Sequence, residues 1–401
     1  MSSSAIIEQA AFFRRQVFEK DADRDLIKAF FEENGYVIVR VLNKEECLNN
    51  IKAQVKHVLL KQPWLETLEV KDEMMLPLDF EKDPDRYVSV LTRDKLTKST
   101  LQHYESVWPL HAGFGACCDP QVFHLEEVWR IRENTNLYNI ASTILQKEDL
   151  WVEINRSIQK LPGKGEDEFL HWDVDFLNEK WAKDESISGK LMFTSGTFIC
   201  VPGTSTKAFH ELFKENYGMH YHQQHKAKLG LDPKKSDPLN LKQKRVSIPV
   251  PAGCAIFWSK WLLHGVQRNP LDGHIQFGTY IGYMPAVSRK DYKRKAGIEE
   301  AEDRIHSFKR GCAPKLWPSL DKIHYYPFRY NNFPQHLKPF TEKTREDWPG
   351  RATKTIKSGP KKGEVLDDLL PVIDEEYVRP KLSKLGKRLL GKKPWPVRCL
   401  K

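Results

Sequence analysis

His171 and Asp173 stand one residue apart in the stretch PGKGEDEFLHWDVDF. On a strand, residues i and i+2 point to the same face, so this imidazole and this carboxylate can reach one metal ion. His264 follows an apolar strand pattern in AIFWSKWLLHGVQRNP, well downstream. Two imidazoles and a carboxylate make a facial triad. It covers one face of an octahedral ferrous ion and leaves positions for a bidentate cosubstrate and dioxygen. A bare HxD is equally the mark of a hydrogen-bonded His–Asp pair on a strand, and Asp175 offers a competing carboxylate two positions on. Other catalytic patterns are missing: there is no GxSxG elbow, no Walker loop and no GxGxxG following a strand.

The elements that must position these residues read as β-rich in the middle and helical on both sides. Leu26, Ile27, Phe30 and Phe31 recur at helical spacing, and the pattern stops at Asn34-Gly35. Residues 36–39 form a short strand. Asn43 then caps a second helix running to about Leu60, with Glu46 three positions on as in a capping box. Residues 151–160, 191–203, 246–258 and 274–286 carry strand patterns bounded by Pro-Gly, Pro-Ala-Gly and Asp-Gly turns. Short strands divided by turns, rather than strands alternating with helices, predict a sandwich or jelly roll.

Four segments, in order, resemble the phytanoyl-CoA dioxygenase family of Fe(II)/2-oxoglutarate oxygenases. FFEENGYVIVRVLNKEEC is similar to that family's helix, Gly-Tyr strand and second helix start. PGKGEDEFLHWD resembles its Pro-Gly loop leading into the HxD. GTFICVPGTSTKAF resembles its Val-Pro-Gly segment, and PAGCAIFWSKWLLHGVQRNP its segment around the distal His. The resemblance spans residues 27–286. It implies an α+β, mainly β fold: a double-stranded β-helix, jelly-roll and cupin-like, flanked by N-terminal and C-terminal helices. It also implies His171, Asp173 and His264 as iron ligands, with Trp172 pointing away from the metal. The implied cofactors are Fe(II), 2-oxoglutarate as cosubstrate and dioxygen. The implied reaction hydroxylates an organic substrate and releases succinate and carbon dioxide.

The chain departs from that pattern where the family places an arginine, about ten residues beyond the distal His. An arginine suits that place because its planar fork binds a carboxylate bidentately. Here the region reads GHIQFGTYIGY, with His274 and Gln276 and neither Arg nor Lys. The replacements open to this chain are His274 with Gln276, Arg268 from the turn, or a cation from another strand, Arg156 or Lys190. A second metal site in HYHQQH, with His220, His222 and His225, lacks a Cys or carboxylate partner. Together with His210 it reads instead as part of a polar lid.

The chain has 401 residues and a net charge of +10. Nine basic residues and no acid lie in 377–401, so the body is close to neutral. The expected organisation is a lead-in over 1–25 and a dioxygenase domain over 26–289 with a polar insertion at 205–245. A helical or irregular extension follows over 290–376, and a loose basic tail over 377–401. The partner implied is a small-molecule substrate, which an anionic character would suit. The tail could draw in nucleic acid or an anionic surface. Two other readings stand beside this one: a degenerate dioxygenase-fold binding protein, favoured by the missing arginine, and a nucleic-acid-modifying oxygenase. No stretch is apolar enough for a spanning helix. The seven cysteines show no CxxC spacing, and the N-terminus lacks a basic region followed by an apolar one. These features lead to the expectation of a reduced, cytoplasmic protein.

Overall fold

The computed structural model describes residues 17–60, 122–155, 157–160, 185–217, 237–265, 274–286, 295–311 and 378–395. Shorter described pieces lie at 84–85, 88, 116–117, 162–163, 170–174, 176–177, 221–224, 228–231, 267, 269, 352–355 and 365–368. In chain order the elements are β1 (Val17–Glu19), α1 (Arg24–Asn34), β2 (Tyr36–Arg40), α2 (Lys44–Leu60), β3 (Ala116–Cys117), α3 (Glu126–Arg132) and α4 (Thr135–Leu145). Then come β4 (Leu150–Val152), β5 (Ser157–Lys160), β6 (His171–Trp172), β7 (Ile187–Met192), β8 (Gly196–Cys200) and α5 (Lys207–Asn216). They are followed by β9 (Tyr221–Gln224), β10 (Lys228–Leu231), β11 (Val246–Val250), β12 (Cys254–Ser259), β13 (His264–Gly265), β14 (Gln276–Tyr280) and β15 (Tyr283–Pro285). Last are α6 (Lys295–Arg310), β16 (Ala352–Thr355), β17 (Val365–Asp368) and α7 (Lys384–Leu389).

The larger sheet runs β1-β2-β12-β7-β14-β5-β3, with β15 joined to β4 and β7; the smaller runs β11-β8-β13-β6-β10-β9. Apart from the parallel β1–β2 pair, the ladders of both sheets are antiparallel. β16 and β17 pair with each other.

Side chains alternate between the two faces of each strand, and the burial follows that alternation. On one face of the larger sheet, Val37, Val39, Leu191, Ala255, Phe257 and Phe277 form a buried cluster with Ile27 of α1, Ile51 of α2, Trp129 of α3, Leu137 of α4, Phe308 of α6 and Leu389 of α7. On its other face, Tyr36, Ile38, Met192, Ile256 and Trp258 share a cluster with Phe198, Cys200, Ile248 and Val250 of the smaller sheet. The two sheets therefore pack face to face. On the far side of the smaller sheet, Trp172, Ile199, Val201 and Leu263 meet Phe213 of α5.

Two chain reversals that set the entry to this sandwich were legible as local signals. Gly35 adopts φ 76° and its N–H bonds the Phe31 carbonyl at 2.8 Å, ending α1 in the left-handed form that glycine favours. The Asn43 N–H donates to Glu46 Oε2 at 2.8 Å, and the Glu46 N–H donates to Asn43 Oδ1 at 2.9 Å. These are the two reciprocal bonds of a capping box.

Two expectations change. Residues 378–395, placed above in a loose basic tail, are docked. Leu389 and Leu390 are fully buried, each burial contributing roughly 1.5–3 kcal/mol. The Arg304 guanidinium donates to the carbonyls of Leu389, Leu390 and Val152, and Trp395 Nε1 donates to the Leu150 carbonyl at 3.0 Å. Charge counting missed this because the apolar residues of this segment are spaced to face the core while its lysines face out. Within 205–245, α5 is anchored by buried His210 and Phe213. β9 and β10 extend the smaller sheet, and His222 sits on β9. His220 and His225 lie outside the described residues. Among the described residues, no helix is long and apolar enough to cross a membrane.

Candidate metal centre

β6 and β13 are two residues each and lie side by side, antiparallel, with His264 directly opposite His171. The two rings end 4.5 Å apart between centroids, tilted at 50°. Asp173 leaves the end of β6, held by its backbone N–H on the Lys260 carbonyl at 3.0 Å. Its Oδ1 lies 3.5 Å from His171 Nε2 and its Oδ2 3.5 Å from His264 Nε2. One ligand atom from each of the three residues falls within 4.8 Å of the others. Donors that each sit about 2 Å from a shared cation are at most about 4 Å apart, and both His–Asp separations meet that limit. With all three donors inside 4.8 Å of one another, the set could hold a divalent metal.

The surroundings orient these donors. His264 Nδ1 lies 2.9 Å from the Leu262 carbonyl. A carbonyl only accepts, so Nδ1 carries the proton and Nε2 keeps its lone pair towards Asp173. Ser188 Oγ donates to Asp173 Oδ2 at 2.9 Å, and Trp258 Nε1 donates to the same oxygen at 3.4 Å. Phe198 stacks on His264 with centroids 5.9 Å apart at 18°. The side chains of His171, Asp173 and His264 are 9%, 11% and 5% exposed, so the centre is recessed and shielded by aromatic walls. Beneath it, the Lys260 ammonium and the Glu153 carboxylate form a buried pair at 3.9 Å. That pair fixes the residue whose carbonyl holds Asp173.

Trp172, between the two ligand candidates on β6, is fully buried on the opposite face. It meets Phe176 and Phe213 edge-on at 5.1 and 5.2 Å. Trp258 and Trp261 separate: Trp258 lines the centre, while Trp261 lies beyond the smaller sheet against Phe176 and His210. His210 bonds through Nε2 to the Thr204 and Trp261 carbonyls. Burial pushes its pKa down to about 4, which makes it a neutral structural histidine near pH 7.

The structure brings together His171, Asp173 and His264. His274 lies elsewhere, on a cleft of about 500 Å³ lined also by Arg40, Lys44, Cys47, Thr194 and Ser195. Its Nε2 is 2.9 Å from the Ser195 carbonyl. Gln276 donates to Asn269 Oδ1 at 3.0 Å. Arg268, Arg156 and Asp175 fall outside the described residues. Ser188 and its role were missed from sequence. The signal was there in ISGKLM: polar residues at 188 and 190, two apart, in an otherwise buried strand.

No protein-family model matches the chain, and no curated protein matches it by sequence. The chain shares its fold with the crystal structure of GlcNAc Inducible Gene 2 (a DUF1479 protein) from Candida albicans. That likeness has a TM-score of 0.51 at 12% identity and covers 99% of this chain and 84% of that one. Partial likenesses join it to the epimerase SnoN, solved with Fe3+, alpha-ketoglutarate and nogalamycin RO. Its TM-score is 0.37 at 17% identity, over 66% of this chain and 84% of that one. EctD from S. alaskensis, in its apoform, gives a TM-score of 0.37 at 12% identity, over 67% and 78%.

Proposed function

We propose that this chain is an Fe(II)/2-oxoglutarate-dependent dioxygenase built on a double-stranded β-helix, which hydroxylates an organic small molecule and releases succinate and carbon dioxide. The observation that carries the reading is the convergence of His171, Asp173 and His264 from two adjacent strands, with both His Nε2 atoms 3.5 Å from the carboxylate. Three donors on one side leave the opposite side open to other ligands.

The ferrous ion, when bound with the keto acid and dioxygen, supplies the oxidising chemistry. The chain's own residues hold and shield it. His171 and His264 bind through Nε2. The Leu262 carbonyl keeps the proton on His264 Nδ1, so that this imidazole remains a ligand rather than a cation. Ser188 and Trp258 fix the Asp173 carboxylate, and two hydrogen bonds to its ionised form keep it available as an anion. Phe198 and Trp258 exclude water from the side on which they stack.

Anaerobic titration of the full chain with Fe(II) and 2-oxoglutarate tests the reading. The expected result is a saturable visible charge-transfer band in the wild type and no band in His171→Ala. A wild-type protein that binds no Fe(II) would overturn it.

A further inference from the structure

The larger sheet carries a lysine where a sandwich core has no structural use for one. On β7, Met192 joins the apolar cluster between the sheets and Ser188 reaches the Asp173 carboxylate. Lys190 lies between them on the same face. Its Cα is therefore one strand repeat, roughly 7 Å along β7, from that of the residue that steadies the metal-binding carboxylate. The amine donates to the Thr197 carbonyl at 2.5 Å. It stands 5.8 Å from the centroid of the Phe198 ring, the ring that stacks on His264.

The titratable groups on the strands around it are Lys160 of β5, Tyr280 of β14, Tyr36 and Arg40 of β2, Cys200 of β8, Cys254 of β12, Tyr283 of β15 and His264 of β13. None is a carboxylate, and among the described residues no ion pair reaches the Lys190 amine. An enclosed ammonium without a counter-anion is costly. Burial, with the Lys160 charge adding to it, pulls the Lys190 pKa down to about 7. Such a group is poised to accept an anion that brings the missing charge.

We propose that the Lys190 amine receives the far carboxylate of 2-oxoglutarate, in place of the arginine that the strand after His264 lacks. This rests on the dioxygenase reading. The keto-acid end would face the triad, and the carbon chain would run along β7 past Phe198. Near pH 8 the amine is mostly neutral, so binding a dicarboxylate draws a proton from solvent onto Nζ.

The test is calorimetric titration of the Mn(II)-loaded full chain with 2-oxoglutarate and, separately, with pyruvate, which has the keto acid but no far carboxylate. Two buffers of different ionisation enthalpy at pH 8 give the proton count. The wild type is expected to prefer 2-oxoglutarate and to take up a fraction of a proton per molecule bound. Lys190→Met should bind Mn(II) as the wild type does, lose roughly ten- to a hundredfold in 2-oxoglutarate affinity, and no longer distinguish the two acids. Lys190→Arg should restore the preference. Lys190→Met removes a half-buried amine and should melt no lower than the wild type. A Lys190→Met protein with wild-type affinity and preference would overturn the assignment of Lys190 and leave the dioxygenase reading standing. A wild type that binds Mn(II) but neither acid would overturn both.

Discussion

The two faces of the larger sheet are made from alternate residues of the same strands, yet they are built to different ends. Val37, Val39, Leu191, Ala255, Phe257 and Phe277 on the outer face lie under the helices, and the buried polar residues there, Ser157, Gln159 and Thr279, are confined to β5 and β14, where Gln159 donates to Gln54 of α2. The inner face carries Tyr36, Ile38, Met192, Ile256 and Trp258 but also Ser188 and Lys190. Polar groups inside a sandwich cost stability unless they are partnered. On the outer face a buried amide is met by an amide of the covering helix; on the inner face a serine and a lysine are aligned beside the metal-binding carboxylate. The contrast separates the residues that hold the protein together from those that set up the centre.

Phe257→Ala should break the outer face most severely. Phe257 is fully buried and packs 6.1 Å from the Tyr283 ring. Truncation of a buried phenylalanine costs about 3–5 kcal/mol, read as a shift in the denaturant midpoint. Metal affinity measured on the fraction still folded should be unchanged. A loss of metal affinity equal to the loss of stability would mean that the two faces are not separable.

Ser188→Ala probes the inner face. It removes the hydroxyl that donates to Asp173 Oδ2 at 2.9 Å. Residues that orient a metal ligand typically contribute 10–100-fold in metal affinity. The expected result is that loss in an Fe(II) or Mn(II) titration, with a denaturant midpoint close to wild type. Unchanged metal affinity would leave Trp258 alone as the support of Asp173.

How much of this division was legible in sequence depends on how local the cause is. The Asn43–Glu46 box and the Gly35 cap are set within four residues of each other, and both were readable. The HxD spacing placed His171 and Asp173 on one face. His264, at the end of an apolar strand pattern, completed the triad, and the β6–β13 register sets it opposite His171. What was not legible depends on long-range packing. That Ser188 reaches Asp173 requires β7 to lie under the end of β6. That 378–395 docks requires Arg304 of α6 to meet the carbonyls of Leu389 and Leu390. His274, which spacing offers as a partner for the far carboxylate, lines the cleft beside α2.

The pH dependence of stability sharpens the comparison in the metal-free protein. Lys190 has a pKa of about 7 when folded, against its usual 10.5. Between those values the unfolded chain holds more protons, so stability rises with pH; below about 7 this contribution is flat. The buried thiols oppose it. Cys47 is pushed up to about 11 and Cys200 further, from a usual 9.0. Each therefore lowers stability as pH climbs past 9, when the unfolded thiols ionise first. The clean window is pH 7 to 8, where a single fully shifted group contributes at most about 1.4 kcal/mol. Wild-type protein, with Lys190 half protonated at pH 7, should gain about 1 kcal/mol by denaturant midpoint in metal-free buffer, and Lys190→Met should be flat over the same range. The outer-face variant Phe257→Ala should keep the wild-type slope at its lower stability, because it leaves every titrating group in place. A Lys190→Met protein with the wild-type slope would show that the amine is already solvated, and that the inner face holds its charge without cost.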